Sequence, residues 1–289
     1  MGLWKRLAIG SVASAIATSA GAGTWTEAWK ATGFDLPESV SWDANARAFY
    51  VSNLGKDPVS KDGNGFISKL KADGTIDTLK WVTGLDAPKS SEVTNGKLWV
   101  TDIDRLVEID IATGKVANSY PAPSARFLND LAVANDGRIF IADTFGNAIY
   151  LFKDGKISEW LRDGKLVGPN GLIILGSDLI VAELGDASQG FDKLKPGNVK
   201  KIDLASKEVS DFGTADAIGG LDGIEDAGDG GVYVTDNGGG RLLKVMPGKA
   251  AAQVAKLKPG AADFEYVAAD RLFVVPQMQD GAVVAGKIE

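Results

Sequence analysis

The stretch KLWVTD, residues 97–102, reads as a β-strand with an aromatic residue at its centre, and the chain repeats this pattern. The related stretches are AFYVSN at 48–53, RIFIAD at 138–143, DLIVAE at 178–183, GVYVTD at 231–236 and RLFVVP at 271–276. Their central residues are Tyr50, Trp99, Phe140, Ile180, Tyr233 and Phe273, at intervals of 49, 41, 40, 53 and 40 positions. A repeat of this length, built on β-branched and aromatic strands, predicts a β-propeller with one four-stranded blade per repeat.

Each repeat alternates apolar and polar residues and is broken by Asp-Gly or Asn-Gly turns, with no long stretch of helical periodicity. These features argue against the helical solenoids that share this repeat length. The sequence therefore predicts an all-β fold, a six-bladed β-propeller that occupies residues 23–289 as one domain. Only five outer strands follow the blades, and TWTEAWKATG at 24–33 has the pattern of the sixth. We expect this N-terminal strand to close the ring by pairing in the last blade.

Residues 1–22 differ in kind from the rest of the chain. MGLWKR is a short basic start, LAIGSVASAIATSAGA is uncharged and rich in small residues, and Ala20-Gly21-Ala22 fits a cleavage site. This order predicts a secretory signal peptide, and hence a periplasmic or secreted protein. The alternative is an uncleaved anchor, for which the apolar stretch is short. No later stretch is long and apolar enough to hold the protein in a membrane after cleavage.

Composition restricts the possible chemistry. The chain has 289 residues, of which 38 are acidic and 31 basic, and its formal charge is -7. It has no basic stripe, so nucleic acid is not an expected partner. It contains no cysteine and no histidine. Disulfides, thiolate catalysis and serine–histidine–aspartate triads are therefore excluded, and any reaction must use oxygen ligands, carboxylates, hydroxyls, Lys, Arg or a bound metal.

The first strand of each propeller blade lines the central channel, so its opening residues lie near one end of that channel. One polar position per blade lies about 10 to 12 residues before the central residue of the repeated stretch. These positions are Glu38 in LPESVSWD, Lys89 or Ser90 in APKSSEV, Asn129 in FLNDLAVA, Asn170 in GPNGLIIL, Asp222 in GLDGIEDA and Asp263 in AADFEYVA. We expect them to surround a common axis.

Four of these residues suggest a metal site. Glu38, Asn129, Asn170 and Asp222 supply two carboxylates and two amide carbonyls, which are hard oxygen ligands that suit Ca²⁺ when waters complete the shell. Without a cation the two carboxylates would repel each other in a narrow channel. Zn²⁺, Mn²⁺ or Mg²⁺ are possible as well. In the alternative reading the polar residues hold ordered water and the Asn-Gly and Asp-Gly pairs are turn chemistry.

The motifs LPESVSWD, RFLND, GPNGL and LDGIEDAGDGGVYVTD occur one per blade, and in this order they resemble the senescence marker protein/gluconolactonase family, with kinship to diisopropyl fluorophosphatase and the paraoxonases. The resemblance spans residues 34–289 and implies a six-bladed propeller with a divalent ion, usually calcium, in its channel. It also implies that Glu38, Asn170 and Asp222 bind the metal and that Asn129 contacts the metal or the substrate.

Two positions depart from the family pattern. Family lactonases usually have an arginine two residues before the third-blade asparagine, whereas Arg126 stands three residues before Asn129. Some relatives have a histidine in the last blade, where this chain has Gln277. The resemblance therefore supports the fold and the metal more strongly than the reaction.

Two functions fit these residues. The first is hydrolysis of a small-molecule lactone or ester, with a metal-activated water and with Asp222 or Glu38 as the base. In that reading Asn129 and Asn170 orient metal and substrate. Lys89 and Asp263 either line the substrate pocket or pair across the channel mouth. The second function is a non-enzymatic periplasmic binding or interaction module with a structural metal. Residues 184–198 are the longest loop candidate, and they form either a lid or a surface excursion.

Overall fold

The repeated strand identified in the sequence is the second strand of each blade in the computed structural model, which describes residues 23–289. Six four-stranded antiparallel sheets follow one another along the chain. The predicted all-β, six-bladed propeller is confirmed. The predicted signal peptide lies outside the described residues, and within them no helix has the length and apolar character needed to cross a membrane.

The blades have the following strands. Blade one contains β2 (Pro37–Asp43), β3 (Ala48–Asn53), β4 (Gly65–Lys71) and β5 (Ile76–Leu85), and blade two contains β6 (Pro88–Thr94), β7 (Lys97–Asp102), β8 (Arg105–Asp110) and β9 (Lys115–Pro121). Blade three contains β10 (Leu128–Val133), β11 (Ile139–Asp143), β12 (Ala148–Lys153) and β13 (Lys156–Leu161), and blade four contains β14 (Pro169–Leu175), β15 (Asp178–Glu183), β18 (Val199–Asp203) and β19 (Val209–Asp211). Blade five contains β20 (Leu221–Asp226), β21 (Val232–Asp236), β22 (Arg241–Val245) and β23 (Ala252–Lys256), and blade six contains β24 (Glu265–Val267), β25 (Leu272–Gln277), β26 (Ala282–Ile288) and β1 (Trp25–Thr32).

The remaining elements are short. Blade four carries an insertion whose strands β16 (Gly185–Asp186) and β17 (Lys195–Pro196) pair with each other. Three 3₁₀ turns occupy Phe191–Lys193, Ala268–Asp270 and Met278–Asp280.

Two sets of backbone contacts join the ends of the ring. The N-terminal β1 is antiparallel to the last strand, β26, from Trp25 opposite Ile288 to Thr32 opposite Ala282. Nearer the axis, the Asp263 amide donates to the Glu38 carbonyl at 2.9 Å, and blade six thereby contacts blade one. The C-terminal strand β26 is therefore paired on both sides, by β1 and β25, and leaves no free edge for association with another chain.

The hydrophobic core lies between neighbouring blades, which explains why the second strands are apolar on both faces. Phe49 packs with Val274 of blade six, while the next residue, Tyr50, packs with Leu98 and Val100 of blade two. Successive side chains of a strand point to opposite faces, so a strand between two blades must be apolar at every position. This is the physical origin of the repeated stretch.

The register of blade six differs from the alignment based on sequence. Val274, and not Phe273, occupies the position held by Tyr233 in blade five. Phe273 faces back toward blade five, with its ring centroid 5.0 Å from that of Tyr233. Gln277 consequently takes the last position of the second strand, where it bridges to Ala261. The sequence alignment of the last blade is therefore one residue out.

The acid that ends most of the second strands has a structural role. Asp102 accepts hydrogen bonds from the Asp86 and Ala87 amides, and Asp143 accepts them from the Arg126 and Phe127 amides at 3.0 and 2.8 Å. In each case the donors belong to the segment that leads into the first strand of the same blade. These carboxylates therefore fix the chain just before the residues that face the channel.

Candidate metal centre

A shared bulge determines which residues of the first strands reach the channel. In blade four the ladder pairs Pro169 with Glu183 and then Leu172 with Val181, which leaves Asn170 and a glycine between these pairs. The first strands of blades one, two, three and five are irregular at the same place. A bulge changes the direction of the side chains beside it, and here it gives two successive channel positions per blade.

These positions form two rings. The upper ring consists of Glu38, Lys89, Asn129, Asn170, Asp222 and Ala262. The second ring consists of Ser39, Ser90, Asp130, Gly171, Gly223 and Asp263. The four residues predicted to bind metal, together with Lys89, lie in the upper ring and line one cavity of about 160 Å³. The structure places Asp263 in the second ring, because the register of blade six is offset by one residue.

The glycines of the Asn-Gly and Asp-Gly pairs allow the blades to approach each other. A Cβ atom at Gly171 would lie 2.2 Å from the Asp222 carbonyl oxygen, and one at Gly223 would lie 2.7 Å from the Asp263 Cα. Both distances are too short for a side chain. These glycines therefore have a packing role that brings Asn170 and Asp222 together.

Asn170 and Asp222 are in direct contact. Asn170 Nδ2 donates to the Leu221 carbonyl at 3.0 Å and to Asp222 Oδ1 at 3.1 Å, while Asn237 Nδ2 donates to Asp222 Oδ2 at 2.7 Å. Because a carbonyl can only accept, the contact with Leu221 fixes the orientation of the Asn170 amide. The amide oxygen of Asn170 consequently faces away from Leu221 and remains able to bind a cation.

Glu38 is a buried carboxylate whose charge is not compensated by a hydrogen bond at Oε2 among the described residues. Its side chain is only 6% exposed. Burial raises the pKa of Glu38 well above its usual range, and the negative charge of Asp222 raises it further, against the opposing effect of Lys89. Burial likewise raises the pKa of Asp222 to about 7. A cation between these carboxylates would reverse both shifts.

The donor set fits a hard divalent ion. Two carboxylates and two amides provide oxygen atoms, and the unpartnered Oε2 of Glu38 marks where charge compensation is missing. Within residues 23–289 no three acidic side chains converge as a metal cluster. Half of the candidate ligands are amides, so the centre depends on Asn129 and Asn170 as much as on the acids.

Lys89 is a buried ammonium at the wall of the same cavity. Nζ donates to the Pro58 carbonyl at 2.9 Å and to the Ala87 carbonyl at 3.0 Å, and it lies 4.1 Å from the centroid of the Phe127 ring. Burial lowers the pKa of Lys89 to about 8, although the charge of Glu38 opposes this change. Lys89 and Asp263 line different cavities, so they do not pair across the channel mouth.

The second ring contains a hydrogen-bonded trio below the candidate metal site. Ser90 Oγ donates to Asp130 Oδ1 and also lies 3.0 Å from Asp263 Oδ2. The Leu131 and Leu172 amides each donate to Asp130 at 2.6 Å. The amide donors serve Asp130, so the crowding of two carboxylates around one hydroxyl favours a proton on Asp263 rather than on Asp130. Burial raises the pKa of Asp263 well above its usual range, in agreement with this assignment.

A second cavity of about 350 Å³ lies on the far side of this trio and includes Glu92, Glu225 and Glu265 in its lining. Burial raises the pKa of Glu92 to about 8 and that of Glu265 to about 7, and it raises the pKa of Glu225 well above its usual range. The sequence analysis missed this group. The sequence does contain a pattern for them. Each glutamate stands three positions after the upper-ring residue of its blade, in the stretches SSEV, GIED and DFEY.

The sequence analysis also missed a ring at the mouth. This mouth ring consists of the residues that directly follow the second strands. Five of them line the upper cavity, namely Leu54, Thr144, Leu184, Asn237 and Met278, and the sixth, Ile103, packs with Leu54. Asn237 belongs to NGGGR and reads from sequence as part of a turn, yet it holds Asp222. Its glycine-rich surroundings give no signal that separates it from an ordinary turn residue.

Neither departure from the family pattern is part of the upper ring. Arg126 donates through Nη1 to the Phe145 carbonyl at 2.9 Å and lines a neighbouring cavity. Gln277 is 4% exposed at the end of β25, and its Oε1 is buried without a hydrogen-bond partner among the described residues.

No protein-family model matches the chain, and no curated protein is similar to it in sequence. Solved structures are similar over almost the whole chain. A gluconolactonase from Xanthomonas campestris is 16% identical, with 93% of this chain and 99% of that chain covered and a TM-score of 0.69. Regucalcin from Agrobacterium tumefaciens, described as a calcium-binding protein, is 16% identical, with 89% and 92% covered and a TM-score of 0.64.

A third similar structure is a catalytically inactive variant of a protein whose name is that of a lyase. Virginiamycin B lyase from Staphylococcus aureus is 14% identical, with 92% of this chain and 100% of that chain covered and a TM-score of 0.61. One propeller architecture therefore serves several functions, so function must be argued from the site. At the level of fold, the resemblance indicated by the sequence motifs is confirmed: the structural neighbours of this chain include the gluconolactonase, luciferin-regenerating enzyme and regucalcin propellers.

Proposed function

We propose that this protein is a divalent-metal-dependent hydrolase of a small lactone or ester. The observation that carries the proposal is the buried, unpartnered Glu38 carboxylate facing the Asn170–Asp222 pair at the floor of a cavity. Glu38, Asn129, Asn170 and Asp222 would hold the ion, and Ca²⁺ suits such ligands best, with Zn²⁺, Mn²⁺ or Mg²⁺ as substitutes. We also propose export, on the basis of residues 1–22.

The side chains of the site have separable roles. A bound cation would polarise the substrate carbonyl and lower the pKa of a water molecule. Asp222 would accept the proton of that water, because its two oxygens are held in place by Asn170 and Asn237. Glu38 is the alternative base. Asn129 and Lys89 line the same cavity and would orient the substrate.

A binding module with a structural metal is the second candidate. It is favoured by the contacts of Asp222, because both carboxylate oxygens already accept a hydrogen bond from an amide. A base held in this way is also a well-fixed metal ligand. In this reading the ion stabilises the ring and the cavity binds a small molecule without converting it.

One experiment separates the two candidates. The protein is purified without chelator, its metal content is measured, and turnover of lactones and aryl esters is followed with Ca²⁺ and with excess EGTA. We expect about one ion per chain and turnover that disappears with EGTA and returns with Ca²⁺. The matched control is Glu225→Gln, which changes a channel carboxyl of the other cavity and should leave turnover unchanged. Bound metal without turnover would support the binding module, and absence of both would end the proposal.

Substitution of Lys89 is expected to strengthen calcium binding, whereas substitution of a ligand would weaken it. The positive charge of Lys89 acts on Glu38, so it competes with a cation for the same carboxylate. Lys89→Met should therefore tighten Ca²⁺ binding, by about tenfold in Kd for an interaction of ~1.4 kcal/mol, as measured by isothermal titration calorimetry. Lys61→Met, at an exposed ion pair with Asp104, is the control. Weaker Ca²⁺ binding in Lys89→Met, at an unchanged melting temperature, would contradict the placement of the ion beside Glu38.

A further inference from the structure

The walls above the candidate metal centre are apolar, in contrast to its floor. Of the six residues of the mouth ring, Leu54, Ile103, Leu184 and Met278 are hydrophobic. Leu36 and Pro58 line the same cavity beside them. Any molecule whose carbonyl reaches the floor must place its remaining atoms against these side chains.

Three phenylalanine rings extend this wall outward. The Phe127 and Phe145 centroids are 4.4 Å apart, and the Phe145 and Phe191 centroids are 6.2 Å apart. Phe127 lies near the floor, under Lys89, whereas Phe191 belongs to the insertion of blade four that forms the candidate lid. Phe145 and Phe191 also line an adjoining cavity of about 720 Å³. The row of three rings therefore leads from the floor of the upper cavity to this adjoining cavity, which polar residues such as Arg126 and Asp186 also line.

Besides Gln279, the polar side chains on the walls of the upper cavity are Thr144, Asn237 and Lys89, and these three are already engaged. Thr144 Oγ1 donates to the Pro169 carbonyl at 2.8 Å, and the Asn237 amide donates to Asp222. Two of the three Lys89 donors are bound to carbonyl groups. A polyhydroxylated ligand would lose water from hydroxyls that find no replacement, and each unpaired hydroxyl would weaken its binding by about fivefold or more. An apolar ligand gains about 25 cal/mol for each Å² that it buries.

From this contrast we infer that the site takes a lactone or ester with an alkyl or aromatic substituent, in preference to a sugar lactone. The reactive carbonyl lies at the polar floor, and the substituent lies along Phe127, Phe145 and Phe191. The preference in turnover rests on the proposed hydrolase function. The preference in binding does not, because the substituent contacts only the apolar wall. Phe145 is the specificity-determining residue, because its ring contacts both other rings.

The test compares two lactones with the same six-membered ring, δ-decalactone and glucono-δ-lactone, and a non-hydrolysable partner, the δ-lactam that carries the same pentyl chain. We expect kcat/KM for δ-decalactone to exceed that for gluconolactone by about 100-fold or more, from the desolvation of several hydroxyls. Calorimetry should show the lactam binding at least about tenfold more tightly than its unsubstituted parent ring, because the pentyl chain is buried.

The variants are Phe145→Ser and, as a control, Leu79→Ser, which removes an exposed apolar side chain from an outer strand. Phe145→Ser should lower kcat/KM for δ-decalactone and affinity for the lactam by about tenfold, while Leu79→Ser should change neither. Equal or faster turnover of gluconolactone would overturn the inference and leave the proposed hydrolase intact. Selective lactam binding without any turnover would uphold the inference and reject the hydrolase. Failure to bind the lactam would reject the inference directly.

Discussion

Glu38→Gln is expected to abolish calcium binding and yet raise the melting temperature of the metal-free protein. Glutamine has the shape of glutamate, and Oε2 of Glu38 has no hydrogen-bond partner among the described residues, so the replacement breaks no hydrogen bond at that atom. It removes a buried carboxylate, that of Glu38, whose pKa is raised by the nearby negative charge of Asp222. The metal-free variant should therefore be more stable at neutral pH, by about 2–4 °C for each kcal/mol gained.

The loss of function in this variant should be large. A carboxylate that directly ligates a divalent ion contributes charge that an amide cannot replace, so Kd for Ca²⁺ should rise by about 100-fold or more. If the ion supports hydrolysis, kcat/KM should fall by about 1,000-fold at fixed Ca²⁺, the size expected when electrostatic stabilisation of an oxyanion is lost. Calorimetry, metal-dependent melting and initial rates measure these three effects separately.

Glu225→Gln is the matched control for this prediction. It changes another channel glutamate, but one that lines the far cavity and is separated from Glu38 by the second ring. Calcium binding should therefore stay within about twofold of wild type, because the altered charge is outside the ligand set. If Glu38→Gln keeps the calcium response of the parent protein, the ion does not sit in the upper ring and the proposed centre is wrong.

The features of the fold that could be predicted are those that leave a pattern within a single strand. The second strands are buried on both faces, so every blade repeats the same apolar pattern, and this gives the blade count and the all-β class. An alignment on the aromatic residues misplaces blade six by one position. Phe273 is aromatic because it packs on Tyr233, whereas Val274 holds the equivalent position and packs toward blade one.

The same limit applies to the site. Glu38, Asn129, Asn170 and Asp222 could be brought together from sequence because each is a polar residue at the start of an apolar strand. The one-residue error in blade six moved Asp263 to the wrong ring, since a single step along a strand changes which residue occupies a given level. Asn237 could not be recognised from its neighbours, because its glycine-rich surroundings also describe an ordinary turn. Only the three-dimensional contact with Asp222 distinguishes it.

The apolar walls were beyond prediction for a different reason. Phe127 precedes the first strand of its blade, Phe145 follows a second strand, and Phe191 lies within the insertion of blade four. These residues share no position in the repeat, so no alignment of blades brings them together. The contact of the insertion with blade three, through Phe191 and Phe145, creates the surface on which substrate specificity depends.

The metal-free protein is expected to lose stability between about pH 4.5 and pH 8, because the glutamates of the far cavity must then ionise in the folded state. Burial raises the pKa of Glu92 to about 8 and that of Glu265 to about 7, whereas in the unfolded chain both titrate near their usual value of about 4.3. Below the unfolded value both states are protonated and no penalty exists. As pH rises through this window the folded state holds more protons than the unfolded state, and the free energy of unfolding falls.

The double variant Glu92→Gln, Glu265→Gln should remove much of this dependence. Glu92 accepts a hydrogen bond from the Val133 amide at 2.8 Å and Glu265 accepts one from the Trp42 amide at 2.8 Å, and glutamine oxygens can accept the same bonds. The variant should melt close to wild type at about pH 5 and roughly 5–10 °C above it at about pH 8.5, in EDTA. The control is Glu27→Gln, an exposed glutamate of β1, which should follow the wild-type curve at every pH. Parallel curves for the double variant and wild type would mean that Glu92 and Glu265 ionise in the folded protein as easily as in the unfolded chain, and that water or a cation fills the far cavity.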